Sequence, residues 1–209
     1  MGATRDDFLK LPIATALRSR LCEPWRDYHT WEHPLRMLDH AVAADNAGVR
    51  IHDPIGVVGF CGWHDAVYDP TSPHGRNEKL SALLCEAEMP LIAPAASVIA
   101  AAAATRATIT HQPVDPAICP DIALKLDIDL AILGSDEAAF DRYERGIHFE
   151  YAHVDAKLRI ETRTRILRRF LERDRLYLTN WAHARWEAAA RANLERSIRA
   201  METTLRNAA

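Results

Sequence analysis

The chain of 209 residues contains no apolar run long enough to cross a bilayer, no paired cysteines and no succession of alternating β-branched residues bounded by turns. Its most continuous weakly apolar stretch, Ala93 to Ala107, is too short and too rich in alanine to span. Met1 to Lys10 lacks the apolar segment of a signal peptide, so a cytoplasmic protein that touches no membrane is the default expectation. Cys22, Cys61, Cys85 and Cys119 stand singly, which excludes a C-x-x-C zinc or redox pair and offers no disulfide framework. A strong charge imbalance is also missing. A net charge of −3 provides no global attraction for nucleic acid. The distribution is less even: Asp155 to Ala209 carries 13 Lys and Arg against 7 Asp and Glu, net +6, and the rest is net −9. Arginines of this basic quarter could serve an anionic substrate, although a solvated helix face accounts for most such residues.

What is present reads as helix. Hydrophobic residues at 48% and charged residues at 26% suit one well-filled domain over residues 1–209, with a core of about 25–175 and a C-terminal helix of about 179–206 packed on it. Thr4 is expected to cap a first helix reaching Leu21, interrupted at Pro12. Thr30 is expected to cap a second, with His33 in its first turn and Gly48 as its stop. Asp53-Pro54 opens a third that runs into Trp63-His64-Asp65. Asn77 is expected to cap a helix to Glu88, Pro94 to open one ending near His111, Asp121 to begin one that stops at Gly134, and Ser135 to cap one reaching Val154. Two arginine-rich helices, Asp155 to Arg173 and Thr179 to Arg206, finish the chain.

Two histidine islands stand out, Tyr28-His29-Thr30-Trp31-Glu32-His33 and Trp63-His64-Asp65-Ala66-Val67-Tyr68-Asp69, followed at a distance by Asp127-Ile128-Asp129. The order His, His-Asp, Asp offers two nitrogen and two oxygen ligands from three segments. Such a set suits a divalent ion with open positions rather than a closed structural zinc site. His64 and Asp65, about 100° apart on a helix, can converge on one ion, and Tyr68 one turn on should line the same pocket. Asp127 and Asp129 are about 200° apart, so only one can point inward; Asp129 is the choice, leaving Asp127 to orient a ligand, cap a neighbour or pair with an arginine. Trp25, Trp31 and Trp63 flank the islands and either wall a pocket or, as is commoner at helical spacing, belong to the core. His40, His52, His74, His148, His153 and His183 lack ligand-like company and read as structural.

These residues resemble the HD superfamily of metal-dependent phosphohydrolases, whose signature runs His, His-Asp, Asp. The closer likeness is to its uncharacterised bacterial branch of predicted metal-dependent HD phosphohydrolases. It is carried by Tyr28-His29-Thr30 with His33, by His64-Asp65 with Val67-Tyr68-Asp69, and by Asn77-Glu78, Thr110-His111, Leu126 to Gly134 and Glu150-Tyr151. Later segments extend the likeness over about residues 25 to 195, although His148 stands where an arginine is expected. The resemblance implies an all-α, single-domain HD-type helical bundle whose metal site lies in a core cleft, with one divalent ion on His33, His64, Asp65 and Asp129.

Four ligands on a roughly octahedral ion leave about two positions, one for water and one for a substrate oxygen. The expected reaction is hydrolysis of a small-molecule phosphate ester, a nucleotide or phosphorylated metabolite, by water that the ion activates. Arg36, Lys79 and Tyr68 are candidates to bind substrate. Glu78, His29 and His111 are candidate catalytic residues, each with an ordinary alternative: a first-turn carboxylate, a solvent-facing histidine before a cap, and a helix end. The ion is one of Mn, Fe, Co, Ni, Zn or Mg, with room for a second if His111 points inward. Rival readings are an HD-type di-iron oxygenase, disfavoured because only His74 and His111 lie between Asp65 and Asp129, and a non-catalytic nucleotide-sensing module. The long terminal helices leave a homodimer open.

Overall fold

The computed structural model describes residues 5–207, and among them every regular element is helical. In chain order these are α1 (Arg5–Leu9), α2 (Ala14–Leu21), α3 (Glu32–Asn46), α4 (Pro54–Trp63), α5 (Arg76–Glu88), α6 (Ala95–Ala107), α7 (Ile122–Asp129), α8 (Glu137–Glu150), α9 (Ala156–Leu171) and α10 (Asn180–Asn207). Short 3₁₀ turns occupy Met89–Leu91 and Leu130–Gly134. No helix among the described residues is long and apolar enough to cross a membrane. Thr4, expected to cap the first helix, lies outside the described residues; the break at Pro12 separates α1 from α2.

Several termini follow from local chemistry. Asp53 accepts the Gly56 N–H at 2.9 Å, and Pro54 fills the first position of α4, where no N–H is required. Gly48 ends α3 with φ at +85°, and its N–H reaches the Asp45 carbonyl at 2.9 Å. Other starts correct the sequence expectation by a residue or two. Helix α3 begins without a side-chain cap; Thr30 contributes its carbonyl to the His33 N–H instead. Ser135 gives its hydroxyl to the Ile132 carbonyl, and Asp136 caps α8 by accepting the Ala139 N–H at 2.8 Å. That helix stops at Glu150, short of Val154. Asn77 lies inside α5 and ties the preceding loop, donating to the Asp69 carbonyl at 2.9 Å. The helix from Asp121 is α-helical only from Ile122 to Asp129, then tightens into the 3₁₀ turn. At Ser135-Asp136 two adjacent polar residues compete for the same orphan N–H groups, and Asp136 takes them.

Helix α6 packs on α4 and α5, α3 on α4 and α7, and α10 on α9 and the 130–134 turn. The alanine run is a core seam: Ala100, Ala101, Ala102 and Ala104 are fully buried, which lets neighbouring helices approach closely. Trp31 stacks on Phe8 with ring centroids 5.4 Å apart, and buried Trp63 donates its indole N–H to Glu88 at 3.0 Å. Both belong to the core, as helical spacing favours. Trp25 is exposed and donates to the Tyr68 carbonyl at 2.9 Å.

Four buried carboxylates each receive consecutive backbone N–H groups from a loop elsewhere in the chain. Asp121 takes those of His52 and Asp53, Asp127 those of Leu178 and Thr179, Glu150 those of Asp27, Tyr28 and His29, and Glu187 those of Leu176 and Tyr177. Many basic side chains of the C-terminal quarter have structural partners. Arg191 donates to the carbonyls of Leu171, Arg173 and Asp174, Arg159 to those of Tyr151 and Val154, and Arg168 and Arg196 pair with Glu202 and Asp141.

At Gly134 the chain runs so close to α10 that a Cβ would stand 2.8 Å from the Trp186 carbonyl oxygen. Gly134→Ala is therefore expected to lower stability by about 1–3 kcal/mol, read as a lower urea midpoint at unchanged slope. A midpoint equal to that of the unaltered protein would contradict this packing.

Candidate metal centre

Helices α3, α4 and α7 bring three of the expected ligands to one point. His33 lies in the first turn of α3, His64 directly follows α4, and Asp129 ends α7. His64 Nε2 stands 3.1 Å from His33 Nε2, while Asp129 Oδ1 is 3.1 Å from His33 Nε2 and 3.5 Å from His64 Nε2. These three atoms form a group able to hold a metal ion. Asp65 Oδ2 lies 2.9 Å from His64 Nε2 and 3.8 Å from His33 Nε2. His111 points inward and meets the other oxygen of Asp129, Oδ2, at 3.0 Å.

Each side chain is aimed by its surroundings. His64 Nδ1 sits 3.2 Å from the carbonyls of both Phe60 and Cys61. A carbonyl only accepts, so Nδ1 carries a proton in either charge state, and whenever the ring is neutral it is the Nε2 lone pair that faces the cluster. His111 occupies the left-handed backbone region with φ at +48°, where Arg173 holds it by donating to the carbonyls of Thr110 (2.8 Å) and His111 (3.2 Å). Asp129 faces the histidines and Asp127 faces away. The Asp127 carboxylate takes the backbone N–H groups of Leu178 and Thr179 and the Thr179 hydroxyl, all at 2.7 Å, and burial pushes its pKa up to about 6 against those donors.

The cluster is electrostatically tight. Burial disfavours charge on His64, yet Asp65 and Asp129 outweigh it and hold the imidazole pKa well above its ordinary value. Burial, with the neighbouring His64, lowers that of His33 against the pull of Asp129. Burial opposes ionisation of Asp65 and Asp129 too, but the surrounding imidazoles keep both carboxyls below the usual range.

Beside the cluster stands an arrangement that spacing did not reveal. Glu150 Oε1 accepts three successive backbone N–H groups, from Asp27 and Tyr28 at 2.8 Å and from His29 at 2.9 Å. Its Oε2 pairs with His29 Nδ1 at 2.6 Å and accepts the Tyr68 hydroxyl at 2.7 Å. Against the cost of burial, His29 and these N–H groups lower the Glu150 pKa to about 2. Tyr28 lies with its ring 4.9 Å from that of His33 and 4.5 Å from that of Tyr143, whose hydroxyl accepts from Arg163 at 2.8 Å. Buried aromatic residues carry no periodic signal of such a role, and Glu150 lies more than a hundred positions from the loop it holds.

Other candidates are placed differently. The chain leaves the helix after Trp63, so Tyr68 is reached through irregular backbone rather than one helical turn past His64; it touches His29 and Glu150 and makes no polar contact with the cluster. Arg36 is exposed on α3 one turn past His33, with no hydrogen bond or ion pair among the described residues, and its charge acts on Tyr28. Glu78 and Lys79 on α5 make no hydrogen bond or ion pair with the cluster; the charge of Glu78 acts on Tyr151. His52 and His183 pair with Asp121 and Glu187, and His40 lies edge-on to Trp186. His148 lines a cavity of about 240 Å³ between α8, α9 and α10 that shares no residue with the cluster. Compared with models of known families, with curated proteins and with solved structures, the chain has no significant match.

Because the folded value of Glu150 is depressed from 4.5 to about 2, its ionised form stabilises the fold above pH 4.5, and that contribution is lost as pH falls through about 2. It amounts to about 3 kcal/mol. Unfolding by urea between pH 5 and pH 2.5 is expected to show a smaller acid-side loss of stability in Glu150→Gln than in the unaltered protein. Equal losses would show that Glu150 is not the titrating group.

Proposed function

We propose that this protein is a metal-dependent phosphohydrolase of the HD type, a single domain whose ion sits between α3, α4 and α7. The observation that carries the reading is the approach of two imidazole nitrogens to 3.1 Å with a carboxylate oxygen against both, in the chain order His, His-Asp, Asp. Nitrogens so close share either a proton or a cation, and the direction of His64 Nδ1 towards backbone carbonyls prepares Nε2 as a ligand. The donor set fits a borderline or hard divalent ion.

His33, His64 and Asp129 would hold the ion, with Asp65 as the fourth ligand. An ion there acidifies a water and polarises a phosphoryl oxygen, the chemistry that phosphate ester hydrolysis needs. His111, on the outer oxygen of Asp129, orients that carboxylate. Arg36, exposed one turn past His33, is available to an anionic group of the substrate, a small phosphate ester such as a nucleotide or phosphorylated metabolite. One observation favours a second reading: Asp129 presents its two oxygens to different histidines, as a carboxylate bridging two ions would, which is the arrangement a di-iron oxygenase requires. Metal stoichiometry separates the two.

The purified protein is expected to bind one divalent ion per chain and to release phosphate from at least one member of a panel of nucleotides and phosphorylated metabolites. His64→Ala should weaken metal binding by about 100-fold or more and abolish turnover. A protein that binds no divalent ion, or that releases no phosphate, sinks the proposal. Asp127 and Asp129 should separate cleanly. Asp129→Asn loses metal affinity, whereas Asp127→Asn keeps it and loses about 1–3 kcal/mol of stability. The reverse pattern in calorimetry and metal titration would reassign the ligand.

A further inference from the structure

The Glu150 carboxylate is 3% exposed and fully engaged, yet one of its partners is a side chain with a free end. The three N–H groups of residues 27–29 on Oε1 fix the loop; Oε2 then meets His29 Nδ1 and the Tyr68 hydroxyl, while the Tyr68 ring lies 4.5 Å from the His29 ring at an interplanar angle of 31°. A loop anchor needs only the first oxygen. The second makes an imidazole–carboxylate pair, in which an ionised carboxylate can only accept and so draws the imidazole proton to Nδ1. The opposite nitrogen, Nε2, has no hydrogen-bond partner among the described residues. The His29 ring is partly open to solvent and stands 6.2 Å from the His33 ring, centroid to centroid.

We infer that Glu150 is a positioning residue that holds His29 in the Nδ1–H tautomer, and that His29 Nε2 is the catalytic base accepting the proton of the attacking water. This rests on the phosphohydrolase reading above. In the step, a bond forms between the water oxygen and phosphorus, the bond from phosphorus to the leaving oxygen breaks, and the water proton passes to His29 Nε2. That proton then returns to the leaving oxygen or to solvent. Glu150 stabilises the imidazolium that forms, and Tyr68 holds the same carboxylate oxygen in place.

Glu150→Gln tests the pair because it keeps one carbonyl oxygen for the three N–H groups and puts an amide donor against His29 Nδ1. The proton is then forced to Nε2 and the base is lost. With Mn²⁺ and p-nitrophenyl phosphate or bis(p-nitrophenyl) phosphate as substrate, kcat is expected to fall by about 10²-fold or more while KM and Mn²⁺ affinity stay within about threefold. His29→Ala should fall as far, and the double variant no further, since the two act as one unit. Nitrogen-15 NMR of histidine-labelled, Zn²⁺-loaded protein, assigned with His29→Ala, reads the tautomer without any turnover. The expected signature is Nδ1–H for His29 in the unaltered protein and Nε2–H in Glu150→Gln.

An Nε2–H signature in the unaltered protein, or a folded Glu150→Gln with unchanged kcat, overturns the inference. Additive losses in the double variant overturn it as well. If Glu150→Gln does not fold, the tautomer read in the unaltered protein decides. An Nδ1–H signature in a protein that binds the ion but hydrolyses neither substrate nor any of the phosphate esters supports the pairing and counts against the phosphohydrolase reading and the base role together.

Discussion

A buried carboxylate that receives consecutive backbone N–H groups is the device on which this fold depends. Loops that enter the core carry amide donors that no helix satisfies, and each would cost about 1–3 kcal/mol if left unpaired. Asp121, Asp127, Glu150 and Glu187 resolve that cost for four segments, each by a charge-assisted contact from a helix or a helix end. The arrangement works in reverse as well. The N–H groups favour the ionised carboxylate against burial: at Glu150 they add to the stronger effect of His29 and the pKa falls, whereas at Asp127 burial outweighs them and the pKa rises to about 6. The histidine cluster sits among these anchors. Asp127 and Asp129 share α7, one tying the start of α10 and the other meeting three imidazoles, so scaffold and candidate site are built from the same two turns of helix.

Legibility in the sequence tracked the range of the interaction. Asp53-Pro54 and Gly48 act within a few residues, and both mark their helix ends as expected. Helical geometry required Asp127 and Asp129 to point apart, and they do; the choice of Asp129 over Asp127 came from the family resemblance, since the separation of about 200° favours neither. The histidine islands held His33, His64 and Asp65, and the later Asp127-Ile128-Asp129 supplied the third converging atom, from Asp129. Ser135 gave way as a cap to its neighbour Asp136, Asn77 is engaged by Asp69 of the preceding loop, and α3 starts after Thr30 with no side-chain cap at all.

What stayed hidden depends on partners far away in the chain. Glu150 looks like any glutamate at the end of an amphipathic helix until the loop at 27–29 is folded over it. Arg191, Arg159 and Arg173 look like a basic face, but they close carbonyl groups at helix ends and turns. His111 gave no sign of its direction, because that direction is set by a left-handed residue and by an arginine 62 positions on.

The placement of those anchors has a consequence for biosynthesis. The atoms of the cluster come from residues 33 to 129, whereas the groups that aim its surroundings come from 150 to 179: Glu150 under the first loop, Arg173 behind His111, and Leu178 and Thr179 on α7. A chain emerging from the ribosome therefore carries every histidine and aspartate of the cluster, with His64 already beside the carbonyls that aim it, before the residues that hold Asp127, His111 and the 27–29 loop have been made. The segment from 150 to 179 is the clamp, and a nascent chain lacking it holds the ligating residues without the contacts that fix their surroundings.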